Sequence, residues 1–322
     1  MKISIVTISF NQARFLEQAI RSVVEQNYPD IEYIVVDPGS TDGSRDIIEQ
    51  YRDGIQKIIF EPDNGPADGL NRAFAQATGE IYAFINSDDF FLPGSFRIVT
   101  EAFLQAPHKD VLSGHSLIVD STNNIINRLF SRRYTPLRSV YNSAVLAQQS
   151  TFFRSRAYWK INGFNVSNCV AWDGELWMDL AMSGAKFGRI NEFLSAFRIT
   201  EDSITGAGKF KDEYLSYKKR MFEKVRGRAQ CSMDKLIRSG FKSVEYIENP
   251  LALMERLLKG PIVGSVFTSL RITGFMKFRV VQYLLHQPFQ GTYGRLDYVD
   301  CSRPPVAAHF TVAFFVCAGH CV

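Results

Sequence analysis

The first hundred residues alternate between two hydrophobic periods. "KISIVTIS" is apolar at most positions and reads as a largely buried strand. Over residues 12–26, Phe15, Leu16, Ala19, Ile20, Val23 and Val24 recur at helical spacing, which predicts a helix with one apolar face. "YPDIEYIVVD" adds a turn at Pro29-Asp30 and a second strand ending at Asp37. "PGSTDGS" is a loop by its turn residues. Ile47, Ile48 and Tyr51 predict a short second helix, and "QKIIFE" a third strand. After the loop "DNGP", Leu70, Ala73, Phe74 and Ala77 mark a third helix, stopped at Gly79. Ile81 to Ile85 form a fourth strand that ends abruptly in "NSDD".

Strands alternating with helices predict an α/β fold with a mostly parallel central sheet and helices on its faces. Ligands of such sheets sit outside the carboxyl ends of the strands. Asp37 ends the second strand, Asp88 and Asp89 end the fourth, and Asp68 opens the helix before it. Each acid alone would serve as a cap or a solvated turn. Four at equivalent topological positions point to a site.

From residue 110 the pattern changes. "DVLSGHSLIVD" and "NIINRLF" alternate like antiparallel strands joined at "STNN". "WDGELWMDLAMSG" predicts a helix with Leu176, Trp177, Leu180 and Ala181 on one face, and "AKFGRINEFLSAFR" a strand, turn and strand. Past Ser203 the chain reads as helical and basic. Residues 209–322 hold 18 Lys+Arg against 9 Asp+Glu, while the whole chain carries only +4, too little to argue for a nucleic-acid partner. The chain thus has an acidic front and a basic back. Five Cys without a CxxC pair suit a reducing compartment. "MKISIVTISF" is interrupted by Thr7 and Ser9 and reads as a strand, so no secretory signal is visible and a cytoplasmic location is expected.

Adjacent Asp88 and Asp89 at the end of a buried strand repel each other and need a positive neighbour. Mg²⁺ or Mn²⁺ suits them: these ions take hard oxygen ligands, often one or two carboxylates, completed by water and substrate phosphate. Neither GxGxxG nor GxxxxGK[ST] is present to cradle a phosphate, so the metal is expected to carry the diphosphate charge. Asp37 and Asp68 are then available to a base N–H or a ribose hydroxyl. The residues point to a nucleotide-diphosphate compound.

"IVTISFNQARFLEQAIRSVVEQNYPDIEYIVVDPGSTDGS", "GPADGLNRAFAQATGEIYAFINSDDFFLPGSF" and "AWDGELWMDLAMSGAKFGRINEFLSAFR" together resemble the family 2 glycosyltransferases with the GT-A fold, over roughly residues 1–205. The resemblance implies a nucleotide-binding half (1–105), an acceptor half (106–205) and a mainly helical, basic C-terminal region (206–322). It implies metal-dependent, inverting transfer of a sugar from a UDP- or dTDP-sugar to a hydroxyl acceptor, a saccharide or lipid-linked saccharide, in cell-surface polysaccharide or glycolipid assembly. Carried onto matching positions, Asp37 contacts the base, Asp68 lies near the nucleoside, Asp88 faces the ribose, Asp89 the metal, and Asp173 in "WDGEL" is the general base. Two positions depart from the family pattern. Pro38 replaces the usual Gly or acid, and Thr200 stands where many relatives carry His. A non-catalytic nucleotide-sugar-binding protein and a nucleotidyltransferase are the alternatives. Asp173 argues against the first, and the lack of a basic Gly-rich loop against the second.

Trp159, Trp172 and Trp177 cluster in sequence around Asp173. They suit either core packing or stacking on an acceptor sugar, with Trp172 the best placed for the latter and Gln149 in "QQSTFFR" a possible hydroxyl contact. Ile262, Val263, Val266, Phe267 and Leu270 form an apolar stripe followed by Arg271, Lys277 and Arg279. It suits a helix packed on the domain, or peripheral membrane contact through 260–285 on the cytoplasmic face. The apolar run after Val306 is shorter than the roughly 20 residues of a spanning helix. "CAGHC" offers soft ligands at a spacing that matches no zinc motif.

Overall fold

The structure, a computed structural model, describes residues 1–200 and 211–259. The apolar stripe at 260–285 and the end of the chain, with "CAGHC", lie outside the described residues. The first half runs β1 (Ile3–Ile8), α1 (Ala13–Val24), β2 (Ile31–Val36), α2 (Ser44–Gln50), β3 (Lys57–Ile59), α3 (Pro66–Phe74) and β4 (Ile81–Asn86). Then follow β5 (Phe90–Phe91), α4 (Ser95–Gln105), β6 (Val111–Val119), β7 (Ile125–Leu129), α5 (Pro136–Val140), β8 (Thr151–Arg154), α6 (Ser155–Lys160), α7 (Trp172–Met182) and β9 (Phe187–Arg198). Three further helices are α8 (Lys211–Arg226), α9 (Met233–Glu248) and α10 (Pro250–Lys259).

All nine described strands join one sheet in the order β3-β2-β1-β4-β8-β6-β9-β5, with β7 on β6. The first four are parallel, and β8 and β5 run antiparallel to their neighbours. The near-continuous apolar runs of β1, β2 and β4 follow from burial on both faces. Ile5, Tyr33 and Val35 go to the layer of α1, with Leu16, Ile20 and Val23. Val6, Ile34 and Val36 go to the layer of α3 and α7, with Leu70, Phe74, Leu176 and Trp177. That period of two within a strand, matched by three- and four-residue steps in α1, sets both layers from sequence alone.

Register positions the site. Ile8, at the end of β1, lies opposite Val36 on one side and Asn86 on the other. The next residues, Asp37 and Ser87, therefore emerge at the same carboxyl edge, on either side of the end of β1. The strand order reverses there, between β1 and β4, where ligands of such sheets bind. The expected antiparallel β6–β7 pair is present. The expected strand, turn and strand over 185–198 is instead one continuous 12-residue strand, β9. Its register on β6 slips around Gly114 and His115, and this bulge takes the place of the turn. A Cβ at Gly114 would collide with Leu194, so only glycine fits there.

The basic helices pack on the second half of the domain. Phe222 of α8 and Phe241 of α9 flank the Tyr141 ring, with centroids at 5.6 and 5.4 Å. Arg132 pairs with Glu245, and Arg138 forks onto Glu248 at 2.6 and 2.8 Å. Among the described residues no helix is long and apolar enough to cross a membrane.

Candidate active site

Asp37 stands one residue past β2 and is fully buried. Its Oδ1 accepts the N–H groups of Gly39 (3.1 Å) and Ser40 (2.8 Å) and Arg45 Nε (3.2 Å). Arg45 also donates to the carbonyls of Asp37 and Phe60, both at 3.0 Å, and lies over the Phe60 ring at 4.6 Å. Asp37 Oδ2 is buried with no hydrogen-bond partner among the described residues. Such an orphan costs on the order of 1–3 kcal/mol. It marks where a ligand N–H or O–H would be received.

Asp68, in the first turn of α3, is committed locally. Its Oδ2 accepts Asn64 N–H (2.9 Å), Asn64 Nδ2 (3.1 Å) and Arg72 Nη2 (2.8 Å). The Asn64 N–H above all holds its carboxyl below the usual range. Asp63, which the sequence pattern did not single out, is the second acid near Asp37. Its Oδ1 accepts Gly65 N–H at 2.9 Å, and its Oδ2 lies so close over Gly69 that a Cβ there would stand 2.5 Å away. Burial raises its carboxyl, and the charges of Asp68 and Asp37 push the same way.

At the end of β4 the positive neighbour of the acid pair is a side chain, Arg198, the last residue of β9. Arg198 is 1% exposed. It donates to the carbonyls of Asp88 (2.8 Å) and Asp120 (2.9 Å) and to Gln18 Oε1 (2.7 Å), and it lies over the Phe15 ring at 4.4 Å. Asp89 is equally buried. Its Oδ1 accepts Arg198 N–H and its Oδ2 accepts Gln149 Nε2, both at 2.8 Å. Burial first, and the charge of Asp88 second, push its carboxyl well above the usual range. Asp88 is half-buried, its carboxylate accepts no hydrogen bond from any other described residue, and burial raises it too.

Two expectations change as a result. Asp89 was expected to face a metal; in this structure each of its oxygens accepts an N–H, and the more exposed carboxylate of the pair is Asp88. Gln149 was expected at the acceptor, but it is 5% exposed and spends its amide on Asp89. Among the described residues no group of three His, Cys, Asp or Glu side chains is arranged to hold a metal. A cation at Asp88 would need water and phosphate oxygens for its other positions, which is ordinary for Mg²⁺. The donor set fits it: a half-buried carboxylate that accepts no hydrogen bond from another described residue, beside a second carboxylate, is relieved by positive charge.

Asp173 opens α7. Trp172 packs on Phe84 at 5.3 Å and on Phe164 at 5.7 Å. Phe84 lies two residues before Asn86, so the first turn of α7 stands over the end of β4. Trp177 is core, at 3% exposure, and Trp159 lies on the surface, its indole N–H toward Tyr82. Burial raises the Asp173 carboxyl, opposed by the N–H of Gly174. Glu175 is held by Asn165 (3.2 Å), Asn168 (2.5 Å) and Arg220 (3.5 Å). The Arg220 contact and the Lys224–Asp179 pair at 2.6 Å tie α8 to α7. Three tyrosines, Tyr134, Tyr214 and Tyr217, lie near enough that the charge of Asp173, after burial, raises their hydroxyls.

Comparison with known proteins fits this arrangement. A model of the family described as "Glycosyl transferase family 2" matches residues 4–161. An uncharacterized glycosyltransferase of Nostoc sp. is 37% identical over 132 residues, 38% of this chain and 41% of its own length. The putative teichuronic acid biosynthesis glycosyltransferase TuaG of Bacillus subtilis is 25% identical over 206 residues, 63% of this chain and 81% of its own. The crystal structure of S. aureus TarS 1–349 in complex with UDP-GlcNAc superposes with a TM-score of 0.56 at 19% identity, covering 81% of this chain and 78% of that one. The fold is the GT-A type.

Proposed function

Because this chain belongs, through residues 4–161, to glycosyl transferase family 2, we propose that it transfers a sugar from a nucleotide-sugar donor to a hydroxyl acceptor with inversion. The observation that carries this is the buried Asp37 Oδ2, without a hydrogen-bond partner among the described residues, on the same sheet edge as the half-buried carboxylate of Asp88. The first is an acceptor suited to a nucleobase N–H. The second would hold Mg²⁺ or Mn²⁺ together with water and the donor's phosphate oxygens. When bound, that cation neutralises charge on the departing diphosphate. Arg198 and Gln149 fix the turn that aims Asp88. Asp63, near Asp37, is the acid assigned here to a ribose hydroxyl, a role that Asp68, tied to Asn64 and Arg72, is less free to take.

Asp173 removes the proton of the acceptor hydroxyl as that oxygen attacks the anomeric carbon from the face opposite the diphosphate. Its burial-raised carboxyl is a better base than a solvated aspartate. The UDP-GlcNAc complex of TarS supports a UDP-sugar donor, and TuaG supports an acceptor of cell-surface polysaccharide type. In this reading the protein works in the cytoplasm, and peripheral contact with the membrane would fall to 260–285.

A panel of UDP-, dTDP- and GDP-sugars with Mn²⁺, read by thermal shift and by release of nucleotide diphosphate, tests the proposal. Stabilisation and turnover with one donor are expected. Stabilisation without turnover for every donor would leave a binding protein instead.

A further inference from the structure

The sequence points to Trp172 and Gln149 for the acceptor; Gln149 is inside the domain, while Trp172 is half-buried and packs on two phenylalanines. A second aromatic surface beside Asp173 comes from α8. Tyr214 and Tyr217 lie three residues apart on one face of that helix. Their rings are 6.2 Å apart and inclined by 27°. Tyr214 is 41% exposed, with Lys218 Nζ 4.8 Å from its ring. Tyr217 reaches the first turn of α7, where a Cβ at Gly174 would stand 3.0 Å from its hydroxyl. The absence of a side chain at 174 is what lets the phenol come so close to the residue after Asp173. Tyr217 is half-buried, and its hydroxyl has no hydrogen-bond partner among the described residues. A pyranose presents a C–H face that an aromatic ring covers and a rim of hydroxyls that polar groups read.

We propose that Tyr214 and Tyr217 of α8 form the acceptor subsite for a pyranose, Tyr214 stacking on its C–H face and Tyr217 hydrogen-bonding a hydroxyl next to the one Asp173 deprotonates. This rests on Asp173 being the base of the proposed transfer. It assigns to the basic C-terminal region a direct part in acceptor choice. The residues assigned to the donor, Asp37, Asp63 and Asp88, include none from α8, so donor and acceptor recognition should separate by mutation.

The test uses the full chain with UDP and Mn²⁺ and, as probes, the methyl glycosides of glucose, galactose, mannose and N-acetylglucosamine. Saturation-transfer difference NMR reads their ring protons, and the UDP-induced thermal shift is measured on the same samples. At least one glycoside should give a ring-proton signal with the wild type. Tyr214→Trp should keep it, Tyr214→Leu should lose it at least fivefold, and Tyr217→Phe should weaken binding by about fivefold, as for one lost hydrogen bond. The UDP shift should be the same in all four proteins. A UDP shift with no glycoside signal, or equal signals from Tyr214→Leu and wild type, would overturn the subsite alone. Absence of the UDP shift in the wild type would overturn the donor reading beneath it.

Discussion

The backbone N–H of Arg198 donates to Asp89 Oδ1 at 2.8 Å, while its side chain donates to the Asp88 carbonyl at the same distance. One residue from the end of β9 thus fixes both halves of the acidic turn after β4. The short β5–β9 pairing, with Phe90 opposite Ala196, brings them together.

Arg198→Ala should leave the Asp88 and Asp120 carbonyls without a donor and the buried acids without their cation. The expected loss is about 3 kcal/mol or more of folding stability in urea denaturation. Arg198→Lys should fall between, because an ammonium cannot reach three acceptors in a planar fork. Wild-type stability in the alanine variant would show that the guanidinium is not what holds the turn.

Asp37→Asn should keep one oxygen for Gly39, Ser40 and Arg45 but can place an N–H₂ where the free Oδ2 stands. A charge-assisted hydrogen bond to the ligand is then lost, about 1.5–3 kcal/mol, or roughly 10- to 100-fold in nucleotide affinity by calorimetry. Unchanged affinity would mean that Oδ2 receives no ligand donor.

Much of this was legible in the sequence because parallel strands announce their ends. Asp37 and Asp88 stop apolar runs, and the sheet carries them to one edge. What reaches that edge from elsewhere was not legible. Arg198 sits in "FRIT" with no local signal that its guanidinium is buried, and Gln149 meets Asp89 only because β8 lies beside β4. The acidic "NSDD" looked in need of a metal, and part of that need is met by an arginine 109 residues on. Asp63 was eclipsed by Asp68, whose helical position looked more functional than its bonds to Asn64 and Arg72 make it. The tyrosines of α8 were read only as part of a basic helical stretch. The turn expected in 185–198 is a bulge, set by the contact of Gly114 with Leu194, which no local pattern encodes.

Gly174→Ala places a methyl 3.0 Å from the Tyr217 hydroxyl, tighter than ordinary contact. The α7–α8 approach must open, and acceptor-dependent turnover should fall about tenfold or more, since small misplacements at a reacting centre are costly. Removing the obstructing hydroxyl in Gly174→Ala/Tyr217→Phe should restore the thermal midpoint but not acceptor affinity. Additive losses in the double variant would show that the two residues do not touch.

Burial raises the Asp173 carboxyl in the folded protein, so the ionised, basic form is gained only above the usual carboxylate range. The acid limb of the rate should lie above the ordinary aspartate value of about 3.9. Activity should rise with pH through that limb as Asp173 loses its proton. The same shift means that ionising Asp173 costs folding stability, so its contribution falls, not rises, as pH climbs from the unfolded to the folded value. A limb at or below about 3.9 would contradict a base whose carboxyl is raised by its surroundings.

The proposed transfer turns on Asp173 removing the acceptor proton in a site whose donor half is separate. Asp173→Asn, compared with wild type for UDP-induced thermal shift and for sugar transfer from the donor found in the panel, tests this most directly. The predicted result is an unchanged UDP shift with transfer reduced by about 10²–10⁴. Transfer at the wild-type rate by the asparagine variant would contradict it.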